Sequence, residues 1–136
     1  MILTDAGPLA ALLDRRDVNY PRCVSVLANR VGPMATTWPA FTEAMFLAGR
    51  EGGWPWQARV WGWMAIGALV VYDLTPRAVA RLPLLMEQYR DLPMDLSGAS
   101  LVALAEERRL RQVFTFNRDF SVYRLPNGAA FELIPS

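Results

Sequence analysis

Asp91-Leu-Pro-Met-Asp-Leu-Ser-Gly-Ala-Ser-Leu-Val-Ala-Leu-Ala-Glu-Glu107, followed by Val113-Phe-Thr-Phe-Asn-Arg-Asp-Phe120, carries the fold of this chain. Asp95 or Ser97 is placed to cap a helix that runs to about Arg109, because a short polar side chain there accepts from the first unpaired backbone N–H groups. Val113–Phe116 then reads as a buried strand. Outward from this helix–strand pair the same alternation recurs. Met1–Thr4 is short, apolar and β-prone, and Pro8–Leu13 follows it through a turn. Pro21–Arg30 places Cys23, Val26 and Leu27 at helical spacing, with Pro21 suited to a first turn. Met34–Thr37 reads as a second strand, Pro39–Arg50 as a helix ending before Gly52-Gly53, and Pro55–Ile66 as a further helix with Trp56, Val60, Trp63 and Met64 along one stripe. Ala68–Tyr72 is strand. Thr75-Pro76 opens a helix with Val79, Leu82, Met86 and Tyr89 as its buried stripe, which Pro83 is expected to kink or split. Phe131–Ile134 is a last short strand. Strands alternating with helices predict an α/β three-layer sandwich with a mainly parallel sheet, in a single domain spanning residues 1–136.

Composition bounds the chemistry. Of 136 residues 53% are hydrophobic and 20% charged, enough for a core and too apolar for disorder. The longest apolar run, Trp61 to Tyr72, is short for a membrane crossing of ~20 residues, and the N-terminus shows no basic region or cleavage site of a signal peptide. The expectation is a cytoplasmic protein with no membrane contact. Histidine is absent, which removes Ser–His, Cys–His and zinc–histidine chemistry. Cys23 is the only cysteine, so no internal disulfide forms and a reducing compartment is the default. All 14 basic residues are Arg and the net charge is +1. Any contact with nucleic acid therefore needs a local patch of Arg, whose planar fork suits phosphate.

In open α/β sheets ligands sit at the carboxyl ends of the strands, and several acidic or amide residues fall there. Asp5 ends the first strand, and Asn117 and Asp119 follow the strand at Val113–Phe116. Glu43 lies on the helix after the second strand, and Asp95 at the start of another. Converging carboxylates suit Mg²⁺ or Mn²⁺, which take oxygen ligands and keep waters for a substrate phosphate. Each acid also has a plainer role: Asp5 and Asp95 as helix caps, Glu43 on a solvated face, Asp119 in a turn.

The motif order resembles that of the PIN-domain family, the small nucleases that include the VapC-type toxins. Ile2-Leu-Thr-Asp-Ala-Gly-Pro-Leu-Ala-Ala-Leu-Leu13 resembles its first strand ending in Asp. Thr36-Thr-Trp-Pro-Ala-Phe-Thr-Glu43 resembles the unit that brings its Glu. The resemblance implies a PIN-like α/β/α sandwich and a Mg²⁺- or Mn²⁺-dependent endoribonuclease, with catalytic and metal-binding roles for Asp5, Glu43 and Asp119. It also exposes two departures. The third acid of the family falls in the first turn after Pro-Met-Asp-Leu, where this chain has Gly98, and the fourth follows Thr-Phe, where it has Asn117. Gly98 has no ligand atom, and Asn117 offers a neutral oxygen without the charge that draws a cation. Asp95, three residues before Gly98, lies one helical turn away as an auxiliary acid, and Arg118 adjoins the site as a contact for an RNA phosphate. The expected result is weak metal binding and slow or absent cleavage. The competing reading is a non-cleaving pseudo-nuclease that binds RNA or a protein, and a third is a scaffold that keeps only the α/β fold.

Four of the five Trp lie between Trp54 and Trp63. Trp56 and Trp63 share the apolar stripe and read as core. Trp61 falls off it and Trp54 precedes the helix, so both are expected at the surface, where large aromatics mark a partner. The resemblance implies a homodimer and a cognate antitoxin helix as the partners. Arg108, Arg109 and Arg111 close a helix, where positive charge suits the dipole.

Overall fold

The computed structural model describes all 136 residues. In chain order the elements are β1 (Ile2–Thr4), α1 (Ala6–Ala11), α2 (Tyr20–Ala28), β2 (Met34–Thr37), α3 (Trp38–Ala65), β3 (Leu69–Tyr72), α4 (Pro76–Gln88), α5 (Leu96–Arg108), β4 (Gln112–Phe114) and β5 (Glu132–Ile134). The five strands form one sheet in the order β3-β2-β1-β4-β5, and every neighbouring pair is parallel. The chain winds outward from β1 through β2 to β3, then crosses back to lay β4 and β5 on the other side. The order therefore reverses between β1 and β4, and parted connections leave a crevice at their carboxyl ends.

Successive strand residues serve opposite faces. Ile2 and Phe114 pack with α1, Cys23 of α2 and Phe41, Ala44, Ala48 and Val60 of α3. Leu3 and Val113 pack on the other face with Ala78 and Leu85 of α4 and with the length of α5. The result is the α/β/α sandwich expected from the alternation. Helix α5 is the most enclosed of the helices: every residue from Ser97 to Ala105 is buried. Small side chains at Ala99, Ser100, Ala103 and Ala105 let it lie close to its neighbours, and Thr37 Oγ1 meets Ser100 Oγ at 2.6 Å.

Three local expectations need correction. Pro83 does not split its helix; α4 runs from Pro76 to Gln88 with Pro83 inside it. Pro83 is exposed, so the carbonyl deprived of its N–H partner lies on the solvent side, and packing against α5 holds the rod. The buried stripe of α4 is also shifted: Ala78 and Leu85 are buried whereas Val79 is 50% exposed. Leu82, Met86 and Tyr89 do pack on the core. The helices expected either side of Gly52-Gly53 follow each other without a loop. They are broken at Gly53, where φ is 67° and ψ is −160°, a backbone region open essentially to Gly alone. A Cβ on Gly52 would lie 2.0 Å from the Trp56 ring, so the break turns Trp56 back across the helix end.

Candidate active site

The crevice between β1 and β4 is a cleft of about 210 Å³ lined by Asp5, Gly7, Glu43, Asp95, Ser97, Gly98, Phe116, Asn117 and Phe120. A larger cleft of about 600 Å³ lies between α2 and β5, with Glu132 its only acidic side chain. Another of about 270 Å³ gathers Asp14, Asp17 and Glu51 but with Arg50 beside them, whereas the β1/β4 cleft gathers three carboxylates with no Arg in its lining.

Each residue arrives there for a local reason. Asp5 ends β1, its backbone N–H bonded to Phe114 O at 3.0 Å. It also caps α1, with Oδ1 accepting from Ala6 N at 2.8 Å, while Oδ2 accepts from Thr115 Oγ1 at 2.8 Å. Cap and site are thus the same carboxylate. Thr115 Oγ1 also accepts from Asn117 N at 2.9 Å, tying the loop after β4 to the end of β1. Glu43 lies in the second turn of α3, whose start is set by the Thr37 cap on Ala40 N. Asp95 caps α5, its Oδ1 accepting from Gly98 N at 2.7 Å. Gly98 follows in the first turn, where a Cβ would sit 3.1 Å from Asp95 Oδ1 and 3.7 Å from the Tyr123 hydroxyl.

Asn117 lines the cleft, but its Oδ1 accepts from Asp119 N at 3.0 Å, an Asx turn that opens the single 3₁₀ turn Arg118–Ser121. Asp119 and Arg118 belong to that turn and are not among the cleft's lining residues. The structure lines the cleft with Asp5, Glu43, Asp95, Gly98 and Asn117 and sets Asp119 and Arg118 in the adjoining 3₁₀ turn, from which the Asp119 charge acts on the same Tyr123 hydroxyl as Asp95 and Asp5. The sequence gives Thr115 no role, and Ser97 only that of an alternative cap for α5. A Thr in the apolar strand Val113-Phe-Thr-Phe116 was the available signal for the first; a Ser among small helix residues carries none.

The electrostatics are those of acids with no cation among them. Burial raises the Asp5 pKa above its ordinary value; the bonds from Thr115 and Ala6 pull it back, and the Asp95 charge raises it again. Burial also raises Glu43, with the charges of Asp5 and Asp95 adding to the effect and Ser97 opposing it. Ser97 Oγ is buried without a partner of normal hydrogen-bond geometry, so its effect on Glu43 is that of a nearby dipole rather than a formed bond. The Tyr123 hydroxyl is pushed up to about 12, first by burial and then by Asp119, Asp95 and Asp5, and stays a proton donor.

These shifts make a pH prediction. A carboxyl whose folded pKa is raised holds its proton more tightly in the folded chain. Stability is then greatest near or below the ordinary carboxyl pKa of 3.8 and falls as pH rises through the folded value. Asp5→Asn removes the charge while keeping an acceptor for the Ala6 cap. It is expected to raise the thermal midpoint at pH 7.5 by on the order of 3 °C, the gain shrinking toward pH 4. Scanning calorimetry at both pH values checks this; a lower midpoint for the variant at pH 7.5 counts against an uncompensated acidic cleft.

The donor set suits a hard divalent cation. Carboxylates converge, nothing cationic lines the cleft, and one buried hydroxyl is left without a partner. As folded, no three acids are grouped closely enough to hold a metal ion between them. Asp5, Glu43 and Asp95 are the residues that would hold it.

No family model matches the sequence, and no curated protein is significantly similar to it. Solved structures do resemble the fold. VapC20 of Mycobacterium tuberculosis, a toxin that cleaves the sarcin–ricin loop, superposes with a TM-score of 0.82 over 90% of this chain and 94% of that one, at 16% identity. A chain of a toxin–antitoxin complex from Klebsiella pneumoniae superposes with a TM-score of 0.66, covering 87% of this chain and 88% of that one at 20% identity. The five-stranded parallel sheet between two helical layers, with its acidic crevice at the β1/β4 switch point, is thus the PIN-like fold of VapC-type toxins.

Proposed function

We propose that this chain is a VapC-like PIN-domain protein, descended from a Mg²⁺- or Mn²⁺-dependent endoribonuclease of a toxin–antitoxin pair, and that as written it cuts RNA slowly or not at all. The observation that carries the reading is the switch-point cleft, where Asp5 and Glu43 meet Gly98 and Asn117 at positions the family fills with acids. A bound cation would neutralise charge on a phosphodiester and favour attack by water. The chain's own part is to orient Asp5 through Thr115 and the α1 cap, and to present Glu43 and Asp95 free of any Arg. The alternative, a non-cleaving RNA- or protein-binding module, is favoured by one detail: the only side-chain oxygen of Asn117 is already committed to Asp119 N–H. Mn²⁺-dependent cleavage of a mixed RNA pool, run beside the Gly98→Asp, Asn117→Asp chain, is the test. Robust cutting by the unaltered chain sinks the impairment, and an inert double variant weakens the nuclease lineage.

The partners follow from the same reading: RNA, a cognate antitoxin and a second copy of the chain, in a reducing cytoplasm. No helix is long and apolar enough to cross a membrane. Trp54 is 66% exposed and Trp61 43%, while Trp61 stands edge-on to Phe41 with centroids 5.1 Å apart. A homodimer or an antitoxin helix covering at least one of them is expected. Loss of a well-buried anchor Trp costs ~2 kcal/mol or more of binding, roughly 30-fold in affinity. Replacing Trp54 and Trp61 by Ala should move the assembly toward monomer in sedimentation at micromolar protein. A chain that is already monomeric at high concentration, with no antitoxin-dependent protection of either ring, argues against this surface.

A further inference from the structure

The far end of α5 gathers positive charge that the fold does not use. Two clefts, of about 360 and 370 Å³, adjoin there and share Arg109 and Glu106 in their linings. One adds Arg111, the other Arg77 and Arg81. The two Glu among them are already engaged. Glu106 holds Arg81 through Nε and Nη2, each at 3.0 Å, and Glu107 accepts from Thr75 Oγ1 at 2.6 Å. Arg77, Arg109 and Arg111 are exposed and form no ion pair. Arg108 forms none either; its guanidinium lies over the Tyr72 ring, 4.0 Å from the centroid. Five Arg thus stand against two Glu, in a chain whose net charge is only +1.

Local stability does not account for this set. A cation in the last turn of α5 suits the helix dipole, which covers Arg108 and little else. Arg77 lies in the first turn of α4, where the dipole disfavours a cation. Arg109 caps α5 with φ 57° and ψ 44°, a left-handed conformation that favours Gly or Asn. Arg111 lies past the helix, just before β4. Two unfavourable placements without an ion pair point to a partner outside the chain, and the planar Arg fork suits an anion with paired oxygens. Arg108 decides between phosphate and carboxylate. An exposed guanidinium plane lying on an aromatic ring is a platform for an unpaired base, which a polypeptide lacks. Resting on the reading of this chain as an RNA-acting protein, we infer that this surface binds the backbone of single-stranded RNA. It lies about 15 Å along α5 from Gly98 in the acidic cleft, with Arg77, Arg109 and Arg111 on phosphates and Arg108 under a base.

The test is fluorescence anisotropy of a labelled oligouridylate with the full chain, across a range of NaCl and with EDTA present, so that the acidic cleft plays no part. The informative variant is Arg77→Gln, Arg109→Asn, Arg111→Gln. Asn tolerates the left-handed cap, so the thermal midpoint should not fall. For single strands the slope of log affinity on log salt is about −0.7 per phosphate contact, so losing three should make it shallower by about 2. Binding at low salt should weaken by at least about tenfold. Arg15→Gln, Arg16→Gln, Arg22→Gln removes the same charge from exposed sites on another part of the chain and should bind like the unaltered chain. Equal losses in the two triple variants, or none in the first, overturn this surface while RNA binding itself stands. Displacement of the oligouridylate by an equal charge concentration of oligoglutamate overturns RNA as its ligand. An unaltered chain that binds no oligouridylate at low salt overturns both this surface and the RNA reading.

Discussion

Acids at both positions 98 and 117 are expected to raise cation-dependent RNA cleavage by about 100-fold or more over the unaltered chain. Stabilisation of transition-state charge by a bound cation amounts to several kcal/mol, and each 1.36 kcal/mol is a factor of ten in rate. A site that holds its cation loosely forfeits much of this. Gly98→Asp supplies a ligand atom where the chain has none. Asn117→Asp supplies charge, and its second oxygen is free even while the first keeps the Asp119 N–H. The same double variant should be less stable than the unaltered chain when no cation is present. It adds two like charges to a cleft where the Asp95 charge already raises the pKa of Asp5 and of Glu43, and the Asp95 carboxylate must shift to admit a Cβ at 98. Mn²⁺ should restore the lost stability. Thermal denaturation with and without Mn²⁺, beside the cleavage assay, reads both effects. A double variant that is as stable as the parent without metal and gains nothing from Mn²⁺ would contradict the placement of these positions at one cation site.

Leu101→Ala should cost about 3 kcal/mol of folding stability, within the 2–5 kcal/mol usual for emptying a buried leucine site. Leu101 is 0% exposed and lies in the stretch of α5 that is buried on every side. The sheet and its neighbouring helices are held apart by many other contacts, so the vacated space cannot close. Leu96, on the same helix but 49% exposed, should lose under about 1 kcal/mol on the same change, as surface substitutions do. Urea denaturation of the two variants distinguishes them. Equal losses would mean that α5 is not the enclosed element described.

Much of this architecture was legible in the sequence because short apolar runs and helical spacing alternate along the chain, and each needs a partner face. The strand end at Asp5, the capping role of Asp95, and the exposure of Trp54 and Trp61 all follow from local pattern, whereas the strand expected over Val113–Phe116 stops at Phe114, two residues short of its expected end. Local pattern failed where the tertiary contacts outweigh it. Pro83 reads as a break but is carried within α4, because Leu85 and Ala78 pack on α5 and the open carbonyl faces water. The stretch Ser97–Ala105 does not present one apolar face, since packing surrounds it. Gly52 and Gly53 announce a turn, but only the position of the Trp56 ring explains why no other residue fits at 52.

The sequence by itself determined which residue types were available for chemistry: no His, one Cys, a handful of acids, and Gly and Asn at two places where an acid is expected. Which of those acids meet was decided by the order of the strands, which sets the crevice between β1 and β4, and by hydrogen bonds a few residues long. The Asx turn of Asn117 sets Asp119 in the 3₁₀ turn beside the cleft, although it lies only two residues on. The cap on α5 draws Asp95 into it. Spacing along the chain cannot distinguish these outcomes, because both depend on which backbone N–H each side chain satisfies once the helix and the turn have formed.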